Sequence, residues 1–364
     1  MQISYTVPVG ISIIMPAYNA ESFIFDSISS ILEQSYHDYE LIIIDDCSTD
    51  RTWEMINSYK DSRVRCVRNK DNVGIAGNRN IGLGLSRGKY IAWLDADDIA
   101  LPNRLKRQFD FLESNPEYGL CCTNVMSIDA NGNPASGSWW PLDDLPLEWS
   151  LAWGNPIAQS SVMVRRDIIV RNGLCYRQDH VPAEDYNLWT ELSRFTRMCR
   201  LPDILIYYRV LPGSAFHTKR KYALDKSYES NNGFITRLVG EVEGFHRMLT
   251  TFDDSSCDGG QRISYSIMRR WYRRVAEALY GIYGFSEREK VAVRSDISRK
   301  LANHFLDKEG TFPRAIELLM LLFFDTRNSF PLLFQRIKEH FRRLNPRMYS
   351  VLKVIFRKMR KSSL

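Results

Sequence analysis

Residues 90–98 read YIAWLDADD: a run of large apolar side chains that ends in three carboxylates, Asp95, Asp97 and Asp98. The apolar half has the length and composition of a buried strand, and its end carries a density of like charge that a solvated loop would not need. Similar runs recur upstream. ISIIM at 11–15, ELIIID at 40–45, RVRCV at 63–67 and KYIAWL at 89–94 read as strands. Between them, helical spacing predicts helices over 20–34, 51–59 and 78–86, with Ser48 or Asp50 placed to cap the second and Arg87-Gly88 ending the third. Strands alternating with helices predict an α/β fold with a mainly parallel sheet and helices on both faces. The strand runs are continuous rather than alternating, as strands covered on both faces require.

In such a sheet, ligands bind beyond the carboxyl ends of the strands. Three of those ends carry polar signatures: Pro16-Ala17-Tyr18-Asn19, Asp45-Asp46 and Asp95-Ala96-Asp97-Asp98. Side by side they form an acidic crevice with an aromatic ring in it. Crowded carboxylates raise one another's pKa, and a cation among them relieves the repulsion. Oxygen donors favour a hard divalent ion, Mg2+ or Mn2+, which commonly completes its shell with water and a substrate's phosphates. The crevice can thereby bind a diphosphate. Taken singly, each acid is more simply a helix cap or a solvated loop charge. Three strand ends together favour the functional reading.

The chain has 364 residues, 44% hydrophobic and 25% charged, enough apolar mass for a large domain plus an appendage. No basic, then apolar, export segment opens it, and no apolar run has the ~20 residues of a membrane span, so a cytoplasmic protein is expected. Seven cysteines without a C-x-x-C pair predict free, mostly buried thiols and no structural zinc. From about residue 228 the strand-like runs stop. Helical patterns follow over 263–283, 287–306, 314–324 and 332–344. Residues 331–364 hold ten Lys/Arg against one acid, so the formal charge of +6 belongs to the tail and the rest of the chain is net acidic.

Three longer stretches are more specific: residues 11–52, 72–105 (from NVGIAGNRN to LPNRL) and VPAEDYNLWTEL at 181–192. In order and spacing they resemble family 2 glycosyltransferases with the Rossmann-like GT-A fold, over roughly residues 10–215. The resemblance implies a GT-A domain over 1–227 and a helical region over 228–364. It also implies transfer of a sugar from a nucleotide-diphosphate donor, a UDP-sugar foremost, to a hydroxyl of a glycan or lipid-linked oligosaccharide. Inversion at the anomeric carbon and a place in cell-surface polysaccharide synthesis follow from the same likeness. Residue by residue, Pro16, Ala17, Tyr18 and Asn19 would meet the nucleotide, with Tyr18 packing on the base. Asp46 would accept a hydrogen bond from the base, and Asp45 would be structural. Gly74, Gly77, Asn78 and Arg79 would line the nucleotide pocket, with Arg79 near phosphate or an acid. Asp95 would face the ribose or metal-bound water, and Asp97 would bind the Mn2+ or Mg2+. Asp98 would orient these two or cap the next helix. Asp185 would be the catalytic base, with Glu184 contacting the acceptor or positioning the pair. A weaker likeness covers 207–220, where His217 would be a third metal ligand and Arg209, Lys219 or Arg220 would meet the diphosphate. PIAQSSVMVRRDII at 156–169 would be the acceptor-side strand, and one of Trp139, Trp140, Trp149 and Trp153 would stack on the acceptor.

The apolar and basic residues of 331–361 recur at helical spacing, which predicts contact with an anionic membrane surface at its cytoplasmic side. The alternative is that these faces pack on the domain or on a second copy in a homo-oligomer. No recognition motif for nucleic acid accompanies the charge. Two rival functions remain: a non-catalytic sugar- or nucleotide-binding scaffold, which the intact acids oppose, and a nucleotidyltransferase, which would want a basic Gly-rich loop where PAYNAES stands.

Overall fold

A computed structural model describes residues 9–135, 145–211, 213, 219–240 and 265–306. The chain divides into two compact units, Met1–Leu249 and Thr250–Leu364. The boundary expected at 227/228 falls inside a helix, Arg220–Val239, that belongs to the first unit.

The first unit is built on one eight-stranded sheet in the order β3-β2-β1-β4-β7-β6-β8-β5. Its strands are β1 (Ile11–Ala17), β2 (Tyr39–Asp45), β3 (Val64–Arg68), β4 (Tyr90–Trp93), β5 (Ile99–Ala100), β6 (Tyr118–Ile128), β7 (Met163–Arg165) and β8 (Arg197–Arg209). The four N-terminal strands run parallel, with Ala17 beside Asp45 and Asp45 beside Arg68. β7 is antiparallel to both β4 and β6, while β6 and β8 are parallel and β5 is antiparallel to β8. The sheet is therefore mixed, and its parallel half carries the three polar strand ends. Every residue of β1, β2 and β4 is buried, as continuous apolar runs predict.

Helices α1 (Ile24–Leu32), α2 (Thr52–Ser58), α3 (Gly74–Leu85) and α4 (Arg104–Ser114) follow the early strands. Shorter helices α5 (Leu147–Leu151) and α6 (Arg166–Arg171) come next, then α7 (Glu184–Leu192) and α8 (Arg220–Val239). α1 starts at Ile24, after a turn in which the Phe23 and Ile24 amides donate to the Ala20 carbonyl and the amides of Ala20 and Glu21 donate to Thr52 and Asp50. Asp50 supplies the capping bond of α2, accepting the Thr52 amide at 2.9 Å, while Ser48 serves Asn19 instead. α3 begins at Gly74, four residues ahead of its expected start, at a positive φ of 76°. The amides of Val73 and Gly74 donate to Asp46 at the end of β2, so a distant carboxylate satisfies the open helix end. Gly82 lets α3 lie against the sheet: a Cβ there would collide with Ile14.

The stretch expected as one strand over 156–169 is instead a single 3-10 turn (Gln159–Ser161), the three residues of β7 and the start of α6. In the second unit, α9 (Tyr265–Tyr283) and α10 (Glu287–Leu306) pack on each other, burying Tyr272, Val275 and Leu279 on one and Val293, Ile297 and Leu301 on the other. The helices expected over 314–324 and 332–344, and the basic stretch 331–361, lie outside the described residues. No described helix is long and apolar enough to cross a membrane. Of the six described cysteines only Cys121 and Cys122 are buried; Cys175 is exposed and the others are intermediate, so the thiols are less buried than expected. Cys257 lies outside the described residues.

Candidate active site

At the end of β1, Pro16 and Ala17 are buried in the strand, and the chain emerges at Tyr18, whose ring is 51% exposed. Asn19 turns the chain with a φ of 48°, and its side-chain oxygen accepts the Thr49 amide at 2.9 Å. At the end of β2 the two acids separate. Asp45 is fully buried, pairs with Arg68 at 3.1 Å and accepts the Ser48 amide, so its role is structural. Asp46 lies alongside and receives three donors: Asn69 at 2.8 Å, the Val73 amide at 2.9 Å and the Gly74 amide at 2.9 Å. Its carboxylate shapes the loop into α3. Within α3, Asn78 is a brace as well, donating to the Ile44 carbonyl at 2.9 Å. Gly77 is half-buried, and a Cβ there would press on Val73.

Arg79 is buried and binds two acids from distant elements. One terminal nitrogen meets Glu184 of α7 at 2.6 Å, and the other meets Asp95 beyond β4 at 2.9 Å. The guanidinium also lies over the Tyr176 ring. Of the two readings the resemblance left for Arg79, the structure shows the acid.

The D-x-D segment is anchored on both sides. Ser160 accepts the Asp95 amide at 2.9 Å and donates to the Asp98 carboxyl. Arg209, at the end of β8, donates its amide to Asp98 at 2.8 Å and its guanidinium to the carbonyls of Asp97, Asp129 and Ala130. Arg209 is thus a buried staple, not a free cation for a diphosphate. Asp98 orients this segment and does not cap α4, which begins behind Asn103 without a side-chain cap. Burial, and then the Asp95 charge, push the Asp97 carboxyl up to about 6. Burial, with Asp97 and Asp95 adding repulsion, raises Asp98 well above the ordinary carboxylate range, and one Asp98 oxygen has no hydrogen-bond partner.

Asp185 stands in the first turn of α7, two residues after a cis Val181–Pro182 bond and Ala183. Asn155 donates its side-chain amide to Asp185 Oδ2 at 3.0 Å, and the Tyr186 amide donates to Oδ1 at 2.6 Å. Burial, and then the neighbouring Glu184 charge, push the Asp185 carboxyl up to about 7. Glu184 itself is buried, and its second oxygen has no partner. Behind it, α8 secures α7: Asn231 donates to the Tyr186 hydroxyl at 2.9 Å, and Arg237 pairs with Glu191 at 2.7 Å.

The Asp95–Arg79–Glu184 chain therefore joins the acids at the end of β4 to the helix that carries Asp185. Four contributors had gone unsingled in the sequence: Asn155, Ser160, Gln159 and Tyr176, whose hydroxyl accepts from Gln159 at 2.7 Å. Only Asn155 had a local signal, an Asn before a proline. Trp149 is fully buried, which removes it as a stacking platform, and Trp153 is half-buried against it. Trp139, Trp140 and His217 lie outside the described residues. Lys219 and Arg220 are exposed at the start of α8.

Acids gathered at the strand ends, with a carboxyl of raised pKa on α7, are the arrangement that the family comparisons now place. The family model for glycosyl transferase family 2 matches residues 12–172. An uncharacterised glycosyltransferase of Haemophilus influenzae is 35% identical over 275 residues, which cover 72% of this chain and 85% of that one. The Escherichia coli UDP-Glc:alpha-D-GlcNAc-diphosphoundecaprenol beta-1,3-glucosyltransferase WfaP is 31% identical over 243 residues, 66% of this chain and 91% of that one. Among solved structures, Staphylococcus aureus TarS 1-349 with UDP-GlcNAc superposes with a TM-score of 0.54 at 16% identity, covering 86% of this chain and 89% of that one, which shows the shared GT-A fold. The chain belongs to glycosyl transferase family 2, and it is a glycosyltransferase of the GT-A fold.

Proposed function

We propose that the protein transfers a hexose or N-acetylhexosamine from a UDP-sugar to a hydroxyl of a lipid-diphosphate-linked saccharide, with inversion, in cell-surface polysaccharide synthesis. The named substrates of the WfaP relative support the donor and acceptor classes. A lipid-linked acceptor would bring the enzyme to the inner face of the cytoplasmic membrane as a peripheral protein.

One observation carries the chemistry: a carboxyl held near pKa 7, joined through Glu184 and Arg79 to the acids at the strand ends. A base with a pKa close to the working pH is both ionised and able to accept a proton. The acceptor hydroxyl gives its proton to Asp185 as its oxygen bonds the anomeric carbon. The bond from that carbon to the diphosphate breaks on the opposite face, and the electron pair leaves with UDP. Tyr18 packs on the base of the nucleotide, and the Asp46-braced loop lines the pocket. Asp97 and Asp95 are the residues that would hold a divalent cation. The carboxylate oxygens of Asp95 and Asp97 are hard donors, which suit Mn2+ or Mg2+. When bound, such a cation offsets the charge that forms on the departing diphosphate.

Asp185→Asn tests this reading. With UDP-Glc, GlcNAc-diphosphoundecaprenol and Mn2+, the variant should lose transfer by at least about 1,000-fold while still binding UDP. A transfer rate equal to the parent's removes Asp185 as the base. A substrate-free readout accompanies it. A carboxyl whose folded pKa is raised stabilises the native state least when ionised, so stability falls as pH rises through about 7. Asp185→Asn should therefore have a higher Tm than the parent at pH 8, with the gap closing at pH 5.

A further inference from the structure

The base does not stand alone on its helix. Asn155 reaches it from the loop between α5 and the 3-10 turn at Gln159–Ser161, and its amide group is fixed at both ends. Its side-chain oxygen accepts the Ile157 amide at 3.1 Å, and its side-chain nitrogen donates to Asp185 Oδ2 at 3.0 Å. The Ile157 amide can only donate, so the oxygen of Asn155 must face it and the NH2 group must face the carboxylate. The loop has little freedom to turn away. Pro156 restricts Asn155 to extended backbone, and Arg200 of β8 donates to the Pro156 carbonyl at 2.7 Å. Each oxygen of Asp185 thus has one protein donor and keeps room to accept one more hydrogen, that of an incoming hydroxyl.

We propose that Asn155 is a positioning residue for the transfer reaction: its side-chain amide fixes the plane of the Asp185 carboxylate and stabilises its ionised form against the adjoining Glu184. The inference rests on Asp185 being the base. Among the described residues, the charged and titratable groups that act on this carboxyl are Glu184 beside it, Arg79 from α3, Tyr176 ahead of α7 and Tyr208 from β8. From α8, Asn231 meets Tyr186 and Arg237 meets Glu191, not the base. Of these, Arg79 favours the ionised base and its guanidinium is divided between Asp95 and Glu184. The Asn155 hydrogen bond is the side-chain donor given to Asp185 directly.

Asn155→Asp separates this role from a structural one. It has nearly the same shape and keeps an oxygen for the Ile157 amide, so the loop is retained, but it presents an acceptor to Asp185 where the parent presents a donor. Asn155→Ala removes the donor without adding a carboxyl. The experiment uses the full chain with UDP-Glc and GlcNAc-diphosphoundecaprenol, and follows kcat against pH. Infrared titration of the Asp185 carboxyl, by difference from Asp185→Asn, gives its ionisation without any substrate. Both Asn155 variants should show the Asp185 midpoint and the acid limb of kcat moved to higher pH by about one unit. They should also lose about 10- to 100-fold in kcat at pH 7, with KM for UDP-Glc changed by less than about 2-fold. An Asn155→Asp variant with the parent's kcat and an unmoved midpoint overturns the proposal. If Asp185→Asn itself transfers sugar, the reading of the base falls. If Asp185→Asn is inactive and Asn155→Asp behaves like the parent, only the role of Asn155 falls.

Discussion

Asp46, just beyond β2, and Asp185, in the first turn of α7, are both carboxylates, and they are held in opposite ways. Asp46 is filled by three donors, two of them backbone amides that start α3. Asp185 has two donors and a like charge beside it, and it is pushed up to about 7. The first arrangement fixes the loop into α3. The second leaves a carboxyl that can change protonation at neutral pH. Under the proposed function the donor side is scaffold and the acceptor side reactive, with Arg79 as the buried tie between Asp95 and Glu184.

The sharpest way to break that contrast is to cut the tie. Arg79→Met leaves Asp95 and Glu184 without their common partner. Removing one partner of a buried ion pair costs about 3–5 kcal/mol, so a large loss in urea unfolding free energy is expected along with loss of transfer. Adding Glu184→Gln removes one of the stranded charges and should recover part of the stability. If Arg79→Met is as stable as the parent, the two sides are not joined through it. Asp46→Asn should have a smaller effect. It turns one acceptor oxygen into a donor facing other donors, at about 1–3 kcal/mol, and should weaken UDP binding in calorimetry with the acid limb of kcat unmoved. Tyr18→Ala should have the least effect on the fold, because the ring is exposed: Tm stays constant while UDP affinity falls by about 10-fold from lost stacking. A Tyr18→Ala variant with unchanged affinity would move the base-stacking contact elsewhere.

The same contrast explains what could be read from the sequence. Three strands of the parallel half, β1, β2 and β4, are legible because each is a continuous, buried apolar run with a polar signature directly at its end. Asp185 is singled out only by the family motif, since an acidic pair before an apolar helix is otherwise ordinary. The partners that give these acids their character were hidden, because they arrive from far along the chain. Arg79 meets Glu184 across 105 residues, Arg209 meets Asp98 across 111, and Asn155 meets Asp185 across 30. The early start of α3 is only partly local: the Asn72 side-chain oxygen accepts the Gly74 amide at 3.1 Å, while the Val73 and Gly74 amides also donate to Asp46, 27 and 28 residues back. Strand order beyond β4 was equally hidden, because β6, β7 and β8 pair in both directions.

The most direct test of the central claim, that a neutral-pH base sits on the acceptor side, is the pH dependence of kcat with saturating UDP-Glc and GlcNAc-diphosphoundecaprenol. A base must be ionised to act, so kcat should fall as pH drops through about 7, the midpoint expected for Asp185. A kcat that stays level down to the ordinary carboxylate range would contradict the account.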